Sequence, residues 1–250
     1  ICDSVNFEFF IQFLLYGLYF KTFQFWGKLT MAHNLLNFWI ALIVFIAHII
    51  GNLIVTKPNP ELFNRLEKLT LFPPSWVFII WFVIWILQSV LFYQTYNSEF
   101  WSHTTTLLFL LVCIGNLGSQ YAGANNYGWF VYILFISCML VSSILFMEKT
   151  SIFYSTIPIA KSASQIYVGW ASLAFLVGLG VILVTDQKVI NDHTFTLIGS
   201  VLLCFVPIGI WTLWFTGKGD YRTISFPYFL LYFAFALRMI LEYFLLLMIV

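Results

Sequence analysis

The sequence predicts an all-α integral membrane protein, a bundle of about seven transmembrane helices. Of its 250 residues, 62% are hydrophobic and only 8% are charged, against about 25% charged in a typical soluble domain. A soluble chain of this length could not cover its surface with 11 basic and 10 acidic side chains. The apolar runs also have the length of membrane-spanning helices, which need roughly 20 residues, and lack the ten-residue alternation of outer-membrane barrels.

Residues 1–30 form an N-terminal segment of doubtful status. They precede the first methionine, Met31, and their apolar run from Phe9 to Phe20 has only 12 residues, which is too short to span a bilayer. We expect this segment to be translated upstream sequence or part of an incomplete gene model. A cleaved targeting segment or an interfacial anchor is the alternative.

The first two predicted spans are 35–55 and 74–96. The polar loop 57–72 between them has apolar residues at a helix-like spacing, which predicts a short interfacial helix. The second span starts at Pro73 and Pro74, because proline lacks an N–H and is tolerated only in the first turn of a helix.

Five further spans follow from the pattern of charges and turns. Glu99 and Glu148 are separated by 48 residues with no charged side chain, which is enough for two spans joined by a tight turn at 123–128. From Met31 on, the Lys and Arg residues in the loops divide four against four between the two sides, so the positive-inside rule leaves the orientation open. In order, the spans are predicted at 105–122, 128–147, 163–185, 195–216 and 226–249.

One face of the second span is almost entirely aromatic. Its residues recur at helical spacing and therefore lie on one side of the helix; they are Phe78, Trp81, Trp85, Gln88 and Phe92. The functional interpretation is one wall of a cavity for a flat apolar ligand, with the amide of Gln88 as an orienting polar group. The alternative is ordinary aromatic packing or contact with lipid, and the spacing alone favours that alternative.

The fifth span has a second such face, formed by Tyr167, Trp170 and Ala174. A tyrosine hydroxyl and an indole N–H need hydrogen-bond partners inside a membrane, from neighbouring helices or from a ligand. Asn116 lies within the third span, where a buried amide commonly bonds across helices. It could instead help to hold a ligand.

Few ionisable groups lie at membrane depth. Arg238 and Glu242 are four residues apart in the seventh span and are expected to neutralise each other. His48 is the other such group, and a bis-histidine haem would need a second histidine at its depth, so neither a proton relay nor haem is expected. The cysteines have no CxxC spacing and are expected to be free thiols. No motif requires catalysis, a metal or a cofactor.

Two of these stretches together resemble the TspO/MBR family, the tryptophan-rich sensory proteins and translocator proteins, in its longer form with two extra C-terminal helices. The first is similar to the start of the family's second helix, and the second is similar to its fifth helix. Asn116 lies where the family has an asparagine in its third helix. The stretches are Pro73-x-x-Trp76-x-Phe78-x-Ile80-Trp81-x-x-Ile84-Trp85 and Tyr167-x-x-Trp170-x-x-x-Ala174.

The resemblance implies a five-helix domain over 31–185 that binds a tetrapyrrole or a sterol in a central pocket, with two additional helices over 186–250. It also implies a mitochondrial or plasma membrane, with membrane lipid and one small apolar ligand as partners. A homodimer is left open, and the net charge of +1 argues against nucleic acid. Leu117 and Gly178 stand where the family has a tryptophan and an asparagine. The pocket positions implied are Trp76, Phe78, Trp81, Trp85, Asn116, Tyr167, Trp170 and Ala174.

Two other functions are consistent with the sequence. A secondary transporter or channel would use the Arg238/Glu242 pair, although neither broken helices nor an inverted repeat is visible in the sequence. A purely structural membrane subunit would have its aromatic rings packed or facing lipid, with no pocket between the second and fifth spans.

Overall fold

The structure is a computed structural model that describes residues 32–54, 69, 79–96, 98–125, 128–217 and 221–233. A π-helical turn, Val181–Asp186, continues the fifth helix, and a 3-10 turn, Arg222–Ser225, precedes the seventh. The helices are α1 (Ala32–Ile54), α2 (Ile80–Thr95), α3 (His103–Ala124), α4 (Trp129–Thr150), α5 (Pro158–Gly180), α6 (Asp192–Phe215) and α7 (226–233).

Five of these helices, α1, α3, α4, α5 and α6, are long and apolar enough to cross a membrane. The described part of α2 has 16 residues and is equally apolar in character. The prediction of an all-α integral membrane protein is therefore confirmed. Several sequence predictions fall outside the described residues, namely those on 1–30, the loop helix at 61–68, Trp76, Phe78, and Arg238 with Glu242.

Four of the described helices, α1, α3, α5 and α6, begin earlier than the sequence predicted. Pro158 lies in the first turn of α5, where its missing N–H costs nothing, so the helix starts before Lys161 rather than at 163. The helix α6 starts at Asp192 rather than at 195, because the Asn191 side chain accepts a hydrogen bond from the Thr194 N–H at 2.8 Å and caps the helix. Charged and polar residues near 161 and 192 suggest boundaries of these spans in the sequence, but in the structure they lie inside or next to the first turn.

The helices α3 and α4 pack at very short range. They are joined by the short connection 125–128, in which Gly128 has a φ of 88°, a conformation that favours glycine. Midway along the pair, a Cβ placed on Gly115 would lie 2.5 Å from the Met139 backbone nitrogen. The two backbones can approach this closely because Gly115 has no side chain.

The helix α5 lies at the centre of the bundle and contacts α2, α4 and the C-terminal turn. On the face of α5 that contacts the C-terminal turn, a Cβ on Gly169 would collide with the carbonyl oxygen of Ile224. On the same face, the Ser172 and Tyr228 hydroxyls lie 2.6 Å apart. On its other side it packs against Trp81 of α2. The helix α1 packs on α2 through rings such as Phe45 and Phe92, whose centroids are 5.1 Å apart.

Buried side chains fix both connections that flank α3 and α4. Trp101 is fully buried and stacks on Phe92 at 4.7 Å, and its Nε1 donates to Thr95 Oγ1 at 2.8 Å. Between α4 and α5, the Tyr154 hydroxyl donates to the Met147 carbonyl oxygen at 2.9 Å. Burial raises the pKa of Tyr154 above its ordinary value, so this hydroxyl remains a donor at physiological pH. Both bonds hold the ends of the helices that carry the site.

Candidate functional site

Trp81 lies at the centre of an aromatic cluster that joins α1, α2 and α5. Its ring centroid is 5.8 Å from that of Trp170 and 6.2 Å from that of Tyr167, both in edge-to-face geometry. The Trp85 ring lies 6.1 Å away on the same helix, and the His48 ring lies 6.1 Å away on α1. The structure therefore brings together the aromatic faces that the sequence placed on the second and fifth spans.

The spacing of the side chains explains why these faces meet. Trp81, Trp85 and Gln88 follow one another at four and three residues, and Tyr167, Trp170 and Ala174 at three and four. Trp81, Gln88, Tyr167 and Trp170 are buried, with at most 8% of each side chain exposed. Trp85 and Ala174 are partly buried and pack against the same cluster. Edge-to-face ring pairs of this kind each contribute about 0.5–1.5 kcal/mol beyond the burial of their area.

The rings of this cluster contact one another directly. No gap for a tetrapyrrole or sterol separates the Trp81 ring from the Tyr167 and Trp170 rings, whose centroids lie 6.2 and 5.8 Å away. A small cavity of about 20 Å³ does lie beside Tyr167, between α2, α3, α4 and α5. Its walls are Gln88, Leu91, Phe109, Val112, Ser143, Phe146, Ala163, Ser164 and Tyr167. A cavity of this size has room for about one water molecule.

Four buried polar atoms of the site have no hydrogen-bond partner in the described part of the chain. They are the Tyr167 hydroxyl, the Trp85 Nε1, the Gln88 Oε1 and the His48 Nδ1. An unsatisfied polar group inside a membrane costs several kcal/mol, because no water is present to replace the missing bond. The site therefore retains hydrogen-bonding capacity that the described residues do not use.

A polar network joins α1 to α3 next to the Trp81 ring. The Asn116 Nδ2 lies 2.6 Å from His48 Nε2 and also donates to Asn52 Oδ1 at 3.3 Å. The Gln120 Nε2 donates to Asn52 Oδ1 at 2.7 Å and to Asn116 Oδ1 at 3.0 Å. The Asn52 Nδ2 donates to the His48 carbonyl oxygen at 2.8 Å. Since Asn116 donates to Nε2, the neutral imidazole of His48 carries its proton on Nδ1.

In this network Asn116 bonds across helices, which is one of the two alternatives that the sequence left open for it. Sequence reasoning singled out Asn116 and His48 but missed Asn52 and Gln120. The spacing of the polar residues could have identified them. His48 and Asn52 are four residues apart on one span, and Asn116 and Gln120 are four residues apart on another. Two polar pairs at the same spacing in two apolar helices indicate facing polar stripes.

The network engages one of the two ring nitrogens of His48. His48 Nε2 has a donor at 2.6 Å, so its lone pair is already used. In the described ranges, no group of three or more His, Cys, Asp or Glu side chains is placed to hold a metal ion. Cys113, Cys138 and Cys204 are free thiols.

The helices and the buried polar and aromatic core define a polytopic helical membrane protein. No protein-family model, no curated protein and no solved structure matches the chain.

Proposed function

We propose that this membrane protein binds one flat, apolar ligand of the tetrapyrrole or sterol class between α2 and α5, in the manner of a TspO-type receptor or translocator. The observation that carries the proposal is the contact of Trp81 with Tyr167 and Trp170. These three rings come from two helices that are far apart in sequence. They form a stacking surface in the interior of the bundle, beside polar atoms that lack partners.

Insertion of a ligand between Trp81 and its two partner rings requires α2 and α5 to separate there, because these rings already contact one another. Separating Trp81 from Tyr167 and Trp170 forfeits two edge-to-face pairs, or about 1–3 kcal/mol. A flat aromatic ligand inserted between the rings replaces both contacts with stacked ones. The closed cluster is therefore the ligand-free state, and the free energy of ligand binding offsets the cost of separating the rings.

Titration with protoporphyrin IX in detergent tests this proposal through quenching of tryptophan fluorescence. We expect saturable quenching, and we expect the Kd to rise at least about tenfold in Trp81→Leu and in Trp170→Leu, since tenfold corresponds to about 1.4 kcal/mol. Trp129→Leu is the matched control, because Trp129 lies at the start of α4 with 47% of its side chain exposed. Its Kd is expected to equal that of the wild type.

A structural membrane subunit is the second candidate function. The direct contact of the rings favours it, because a pure packing role needs no cavity between α2 and α5. The titration separates the two functions. If quenching by protoporphyrin IX does not saturate, or if the Kd is the same in Trp81→Leu and in the control, ligand binding is refuted and the structural role stands.

A further inference from the structure

The small cavity beside Tyr167 is lined by side chains from four helices. It is lined by Gln88 from α2, Val112 from α3, Ser143 from α4, and Ser164 and Tyr167 from α5. Its volume of about 20 Å³ accommodates a single oxygen atom with its hydrogens, since one water needs at least about 10–15 Å³ on this measure.

Two of the four unpartnered polar atoms of the site belong to residues that line this cavity. Gln88 has 5% and Tyr167 has 3% of its side chain exposed, and neither the Gln88 Oε1 nor the Tyr167 hydroxyl has a hydrogen-bond partner in the part of the chain that is described. The first atom accepts hydrogen bonds, and the second both donates and accepts. A third group that can accept from tyrosine and donate to glutamine would satisfy both.

We propose that this cavity binds one hydroxyl oxygen, which accepts a hydrogen bond from the Tyr167 O–H and donates one to Gln88 Oε1. The hydroxyl is that of a water molecule in the empty protein, or the alcohol group of a bound ligand. The ligand source rests on the proposed function, whereas the water source does not.

The lining residues also select for an uncharged group. None of the residues that line the cavity is charged. The Ser143 and Ser164 hydroxyls donate to the carbonyl oxygens of Leu140 and Ala160 on their own helices. The Ser164 oxygen also lies 2.8 Å from the Tyr154 hydroxyl, so neither serine hydroxyl is left as an unused donor for an anion. A carboxylate would find the Tyr167 hydroxyl as its donor but no compensating charge, and a buried uncompensated charge is far more costly than a neutral hydroxyl.

A double-mutant cycle on the ligand-free protein tests the bridge. Gln88→Leu and Tyr167→Phe each break the hydrogen-bonded bridge and leave the other residue's polar atom without its full set of bonds. Each is therefore expected to raise the unfolding equilibrium constant about tenfold. The double variant has neither polar atom left to satisfy. Its unfolding constant is therefore expected to rise about tenfold rather than a hundredfold. Unfolding is followed in mixed micelles of dodecylmaltoside and SDS.

Controls on the same helix establish the baseline of the cycle. Gln94 and Tyr93 are exposed on α2, and Gln94→Leu and Tyr93→Phe are expected to leave the unfolding constant unchanged. If the effects of Gln88→Leu and Tyr167→Phe multiply in the double variant, no group bridges the two residues and the proposal is overturned.

A matched pair of probes distinguishes the two sources of the hydroxyl. Energy transfer from tryptophan reports binding of dehydroergosterol and of its 3-methyl ether, which lacks the donor hydrogen. If the ligand supplies the hydroxyl, the alcohol binds about tenfold more tightly than the ether, and Tyr167→Phe abolishes this preference. If water supplies it, the cycle shows coupling while the two probes bind alike. Failure of the proposed function would appear separately, as an absence of saturable porphyrin quenching with the coupling intact.

Discussion

Gly115→Ala is expected to lower the free energy of unfolding by about 2 kcal/mol. The added Cβ would lie 2.5 Å from the Met139 nitrogen and 2.8 Å from the Phe135 carbonyl oxygen. Both are backbone atoms and cannot rotate away, so α3 and α4 would have to separate. Overpacking of this kind costs about 1–3 kcal/mol, which exceeds the gain of up to about 1 kcal/mol from replacing glycine in a helix.

Gly209→Ala makes the same substitution in open space. No heavy atom lies within 4 Å of a Cβ at Gly209 on α6, so only the gain in helix propensity remains, and the variant is expected to be as stable as the wild type or slightly more stable. Both variants are compared by unfolding in mixed micelles. Equal effects of the two substitutions would contradict the close approach of α3 and α4.

Asn116→Leu is expected to lower the free energy of unfolding by about 2–4 kcal/mol. The substitution removes bonds to three partners at once, namely His48, Asn52 and Gln120. Single interhelical hydrogen bonds in membranes average only about 0.6 kcal/mol and reach about 1.7 kcal/mol. The sum over three bonds, together with a buried His48 Nε2 that loses its donor, gives the larger effect.

The control for Asn116→Leu is Gln94→Leu, which replaces an exposed amide on α2. It is expected to change the free energy of unfolding by less than about 0.5 kcal/mol. The double variant Asn116→Leu with His48→Phe is a second test of the network, because it removes a hydrogen-bond donor and its acceptor together. It should be no less stable than Asn116→Leu alone. A loss in Asn116→Leu no larger than in the control would show that the network does not stabilise the pairing of α1 with α3.

The helices could be predicted because each apolar run carries its own length and turn signals. Each aromatic face could be predicted as well, since it is visible in the helical spacing, whereas the meeting of the two faces was implied only by the family resemblance. What spacing could not supply is the partner of each face. Asn52 and Gln120 were missed because the polar residues of one helix indicate a hydrogen-bond network only once the helix that they face is known.

The sequence also could not show that the aromatic rings of the site contact one another directly. An aromatic face is compatible with a ligand wall and with direct packing, and only the distances between rings distinguish them. The same holds for Gly115, because a glycine within an apolar span has no sequence signal that separates a close backbone contact from open space such as that around Gly209. Pairwise geometry, rather than composition or periodicity, determines these features.

The opening of the aromatic cluster is most directly measured in a cryo-electron microscopy structure of the protein in nanodiscs with protoporphyrin IX. The quantity to measure is the distance between the ring centroids of Trp81 and Trp170, which is 5.8 Å in the closed cluster. Insertion of a flat ligand predicts a separation of at least about 7 Å, which is twice the contact distance between stacked carbon atoms, with porphyrin density between the rings. Rings still in contact at saturating porphyrin, with no density between them, would contradict ligand binding between α2 and α5.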